Sequence, residues 1–61
     1  MEQVKIFRST SEVELEQLIN QFLIDMGEDY DVTRIIQSEG ASMYITVSIY
    51  FEPTLQNLLN N

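Results

Sequence analysis

Polar and apolar residues alternate without interruption from Ser42 to Glu52. Met43, Ile45, Val47, Ile49 and Phe51 share one parity, and Ser42, Tyr44, Thr46, Ser48, Tyr50 and Glu52 the other. A period of two in a segment rich in Ile, Val, Thr and Tyr predicts a long strand over residues 42–52. Its length and apolar content predict a place at the centre of a sheet. Pro53 cannot donate to a ladder and ends it. Upstream the period changes. Leu15, Leu18, Ile19, Phe22, Leu23 and Met26 fall on one stripe at helical spacing, with Val13 and Ile24 opposite. Two overlapping capping boxes precede the stripe, Ser9 with Glu12 and Ser11 with Glu14. Gly27 is placed to end the helix in a left-handed conformation.

Residues 4–8 predict a first strand, with Val4 and Ile6 on one side and Lys5 and Phe7 on the other. Residues 30–38 predict a second strand with a mixed pattern, in which the apolar face switches near Ile35. Residues 39–41 form the turn of a hairpin. Leu55, Leu58 and Leu59 stand at helical spacing and predict a short C-terminal helix that frays into Asn60 and Asn61. These elements predict an α+β fold, β-α-β-β followed by a short helix. A right-handed crossover joins the first two strands. The hairpin then returns the third strand between them, giving a three-stranded antiparallel sheet in order 1-3-2 with one helix on one face. The helix is expected to pack on Val4, Ile6, Met43, Ile45, Val47, Ile49 and Phe51. The chain is expected to be one domain over residues 1–61, with a core in 3–52 and a tail in 53–61. It opens with Met1, as a complete small gene product would.

Composition narrows the chemistry. There is no Cys and no His among the 61 residues, so disulfides and Cys/His zinc sites are excluded. A chain this short builds a marginal core, and oligomerisation is the common remedy that remains. Ten carboxylates stand against Lys5, Arg8 and Arg34, a net charge of -7. That balance argues against direct binding to nucleic acid or an anionic membrane. No basic-then-apolar leader or membrane span is legible, and a cytoplasmic location is expected.

Catalysis has little to work with. A Ser nucleophile lacks a His base, and the only glycines, Gly27 and Gly40, make no phosphate loop. The acidic run 25–31 lacks the ligand spacing of an EF-hand. No enzyme, metal or cofactor is expected.

Two surfaces could carry function instead. One is the sheet face away from the helix, expected to present Lys5, Phe7, Tyr44, Thr46, Ser48 and Tyr50, with Leu55, Leu58 and Leu59 folding over their own sheet or crossing to a second subunit. Aromatic side chains of this kind are enriched at interfaces. The bland alternative is an ordinary solvated antiparallel face. The other surface is an acidic band of Glu12, Glu16, Asp25, Glu28 and Asp29 that could meet a basic partner. The bland alternative there is a solvated helix face, because acids near a helix start are favoured by the dipole. Asp25, Glu28 and Asp29 lie at the opposite end, where that explanation fails.

The layout of residues 4–7, then Leu15-Glu16-Gln17-Leu18-Ile19-Asn20-Gln21-Phe22-Leu23, then a Tyr-rich strand ending Ser48-Ile49-Tyr50-Phe51-Glu52, resembles a family of roughly 60-residue sporulation proteins of Gram-positive bacteria, also found on phages and plasmids. The resemblance covers about residues 3–52 and implies a bacterial or mobile-element accessory protein. It transfers no functional residue. The leading expectation is a non-catalytic acidic interaction module, homo-oligomeric, that binds and inhibits or regulates a host protein. The alternatives are a small structural or regulatory sporulation protein and a small-ligand binder at a subunit interface.

Overall fold

The structure is a computed structural model that describes residues 1–40 and 42–59, apart from the side chain of Gln56. The expected turn residue Ala41 and the tail end Asn60-Asn61 lie outside the described residues. The elements run β1 (Gln3–Ser9), α1 (Glu12–Met26), β2 (Tyr30–Glu39), β3 (Ile45–Pro53) and α2 (Leu55–Leu59). The three strands form one antiparallel sheet in the order β1-β3-β2. The expected α+β fold is the observed one.

Local chemistry explains each boundary. Ser11 is the N-cap of α1, and its Oγ accepts from the Glu14 amide at 3.2 Å. Ser9 does not head a second capping box. It is the last residue of β1, buried, and its Oγ accepts from the Ser11 amide at 3.0 Å. Gly27 ends α1 with φ 60°, and its amide donates to the Leu23 carbonyl at 3.3 Å. Thr54 caps α2 by accepting from the Asn57 amide at 3.2 Å. Its own amide donates to the Asp29 carbonyl at 2.9 Å, which ties the start of α2 to the turn between α1 and β2.

The core is small. Among the described residues, Phe7, Leu15, Val47 and Ile49 are buried hydrophobics, with Ile19, Phe22 and Ile45 packed against them. A chain of edge-to-face rings runs through it: Phe7 to Phe22 at 5.4 Å, Phe22 to Phe51 at 5.5 Å, and Phe51 to Tyr30 at 5.6 Å. Ladder register fixes which side chains share a face. Phe7 pairs with Val47 and Ser9 with Ile45, so Phe7 faces α1. Ile6 pairs with Ser48 and Val4 with Tyr50, so both point away from it.

The expected side of β1 is therefore reversed. Val4 and Ile6 lie on the uncovered face, and Phe7 lies in the core. The reason is area: one phenyl ring wedged against Phe22 removes more apolar surface from water than Val4 or Ile6 at the strand's margin. Met43 is corrected too. It was expected on the core side of the third strand but is 82% exposed in the turn before β3, with φ 67°. Within the helix stripe, Leu15 is buried, Ile19, Phe22 and Met26 are half-buried, and Leu18 and Leu23 are exposed.

A positive φ is uncomfortable for a side chain with a Cβ. Met43→Gly is expected to raise stability by about 0.5 kcal/mol, because the left-handed penalty removed exceeds the entropy cost of glycine. Met43→Ile is expected to lower it. A urea midpoint for each variant checks the pair.

Candidate interaction surfaces

The sheet face away from α1 is built from alternate residues of all three strands. Its central row is Ile6, Ser48 and Ile36, read across β1, β3 and β2. The next row is Val4, Tyr50 and Arg34, and on the other side lies Arg8, Thr46 and Ser38. A register shift between Val32 and Arg34 makes this arrangement possible. The bulge turns Arg34 and Ile36 outward while Val32 and Ile35 stay on the helix side. It is the switch of face expected near Ile35, placed two residues earlier.

Both tyrosines on this face carry an arginine. The Arg8 guanidinium lies 4.6 Å from the Tyr44 ring centre, and that of Arg34 lies 4.1 Å from Tyr50. Such stacks contribute roughly 0.5–1 kcal/mol each when exposed. They also hold the rings against the sheet and spread each charge over an apolar surface. Arg34 is further placed by Glu2, at 3.8 Å, and the same carboxylate accepts from Thr33 Oγ1 at 2.6 Å.

Of the residues expected on this face, Tyr44 is exposed there, and Thr46 and Tyr50 are half-buried on the central strand. Phe7 and Lys5 are not there: Phe7 belongs to the core, and Lys5 pairs with Ile49 on the helix side. Leu55, Leu58 and Leu59 do not fold back over their own sheet and remain 60–75% exposed on α2. Sequence reasoning missed Val4, Ile6 and Ile36 as surface residues. One clue to the side of β1 was Ser9. Only two residues separate it from α1, so its hydroxyl turns toward the helix, and Phe7 shares its parity.

The acidic residues occupy the other side. All five of Glu12, Glu16, Asp25, Glu28 and Asp29 are exposed. They divide into three settings. Glu12 and Glu16 stand at the rim of an open groove of about 310 Å³ whose floor includes Leu15, Ile19, Ile45 and Val47. Asp25 borders a smaller hollow of about 230 Å³ against Phe22, Met26, Tyr30 and Phe51. Its Oδ1 accepts from Gln21 Nε2 at 2.8 Å. Glu28 and Asp29 form the turn whose carbonyls accept from Thr54 Oγ1, each at 3.3 Å. Their main chains are therefore used for folding, while their carboxylates face solvent.

Among the described residues no group of three carboxylates gathers closely enough to hold a metal ion. Nor is any helix long and apolar enough among them to cross a membrane. No family of known proteins, no curated protein and no solved structure matches this chain.

Proposed function

We propose that this chain is a non-catalytic protein–protein interaction module that associates with itself and binds a host protein with a basic surface. One observation carries the reading. A compact monomer of 7.1 kDa exposes roughly 4,100 Å². This chain exposes 4730 Å². Its radius of gyration is 13.2 Å, against roughly 10.5 Å for a compact chain of this length. The excess of roughly 600 Å² approaches what one partner buries in a standard protein interface. Apolar side chains make up much of the open area: Val4, Ile6, Ile35 and Ile36 on the sheet, and three leucines on α2. A protein that leaves this much of itself uncovered is built to be covered by protein.

Sedimentation velocity over a range of concentrations tests the self-association. The expected mass is twice that of one chain or more at micromolar concentration. A folded species of one-chain mass at every concentration overturns that part.

The host partner follows from charge. Glu12 and Glu16 above an apolar groove suit a segment carrying both apolar and basic side chains. In a bacterial cytoplasm the natural role is that of a phage- or mobile-element-type accessory protein that inhibits or regulates its target. A small structural or regulatory sporulation protein is the second reading, favoured by the layout of residues 3–52. Phage genes beside the coding sequence favour the first, and sporulation genes the second.

Neutralising Glu12, Glu16, Asp25 and Asp29 to Gln or Asn is expected to change folding stability little, about 0.5 kcal/mol or less per site. With the partner in hand, the same change is expected to slow association and flatten its dependence on salt, because exposed charge acts mainly through steering. Stopped-flow association rates at two salt concentrations check this.

A further inference from the structure

We infer that two copies of this chain stack through their uncovered sheet faces, strands antiparallel, with both α1 helices outward. The inference rests on the self-association proposed above and names its surface.

Charge selects the face. The chain carries -7, so two copies repel unless they meet where the charge is low. On the uncovered sheet face Arg8 and Arg34 stand against Glu2, Asp31 and Glu52, a net of -1. The remaining -6, seven carboxylates against Lys5, lies on the helix side and the turns. Meeting through the helix side would bring the densest negative charge of both copies together. The sheet face presents an uncharged central row, Ile6, Ser48 and Ile36, with Val4 and Tyr50 beside it.

Charge also selects the orientation. Arg8 lies toward the end of the face where Thr46 pairs with Ser38, while Asp31 pairs with Glu52 at the other end. The two ends are about 20 Å apart at strand rise. A two-fold axis in the plane of the sheet and across the strands sets Arg8 of each copy over the Asp31–Glu52 end of the other. A parallel stack would instead place the acidic ends together. Face-to-face sheets pack about 10 Å apart, a spacing that the side chains of the central row would fill from both copies. The arrangement is helix, sheet, sheet, helix, and it leaves both acid-rimmed grooves open on opposite sides.

The absence of native cysteine makes the test direct. Ser48 lies at the middle of the face, so Ser48→Cys is expected to be shielded from a maleimide reagent, its labelling rate falling at least tenfold between a concentration at which the chain is monomeric and one at which it is dimeric. Asn20→Cys, on the exposed surface of α1, is expected to label at the same rate at both concentrations. Separately, Ile36→Glu is expected to raise the dimer dissociation constant at least tenfold by sedimentation. Its neighbour Ile35→Glu, on the opposite side of the same strand, is expected to change it less than threefold. If the unaltered chain sediments as a folded monomer, self-association itself fails and the inference falls with it. If the unaltered chain is a dimer but Ser48→Cys labels equally fast at both concentrations, or Asn20→Cys is shielded as well, the interface lies elsewhere and only the face is overturned. If Ile36→Glu does not fold, the cysteine pair decides alone, because Ser48→Cys leaves the face nearly unchanged.

Discussion

Ile49→Asp is expected to leave this chain unfolded at room temperature. Ile49 is the one described large side chain with no exposure at all, on the central strand between Lys5 of β1 and Ile35 of β2. A carboxylate there is desolvated on the central strand while the side chain of its ladder neighbour Lys5 is exposed to solvent, so burying it costs several kcal/mol. A domain of this length has a total stability of roughly 3–9 kcal/mol, so the single change is enough. Ser48→Asp, one residue earlier, points to the opposite face and is expected to leave the protomer folded. Far-UV circular dichroism of the two variants separates them. Equal helix and strand signal in both would mean that the sides of β3 are assigned wrongly.

Phe7→Ala is expected to cost about 3–4 kcal/mol, and Ile6→Ala no more than about 1 kcal/mol. Phe7 sits in the buried cluster and meets Phe22 edge to face, so its truncation opens a cavity and breaks the chain of rings. Ile6 is 59% exposed on the far side of the same strand. Urea unfolding at a protein concentration low enough to keep the chain monomeric measures both. The contrast is sharp because a sequence-based reading puts these two residues the other way round. A larger loss at Ile6 than at Phe7 would mean that α1 lies on the opposite face of the sheet.

The helix and the third strand were legible because their periods are unambiguous. Strand β3 alternates cleanly, the stripe through Leu15, Ile19 and Phe22 has helical spacing, and Ser11, Gly27 and Pro53 punctuate the chain. Strand order followed from connectivity, since a tight hairpin and one crossover leave a single economical arrangement. The side of β1 was not legible. Val4 and Ile6 compete with a lone Phe7, and the residue that decides, Val47, is distant in sequence and enters only through ladder register. Alternation also overran the strand. Met43 continues the pattern by parity but sits in a turn closed by its own amide, which donates to the Gly40 carbonyl at 3.2 Å. Two of the aromatic surface residues, Tyr44 and Tyr50, could be placed from β3 alone. Their arginine partners and the apolar row around Ser48 could not: Arg8 depends on the reversed side of β1, Arg34 on the bulge in β2, and the row on both.

The thermal midpoint as a function of protein concentration tests the central claim, that a partner copy completes this fold. Four buried hydrophobic side chains among the described residues make a thin core for one protomer. If association covers the open face, the native state gains stability by mass action and the midpoint rises with concentration. The expected result is an increase of several degrees between 1 and 100 micromolar, roughly what a gain of 1–2 kcal/mol produces in a domain this small. A midpoint that stays constant over that range, with reversible unfolding, would contradict the account.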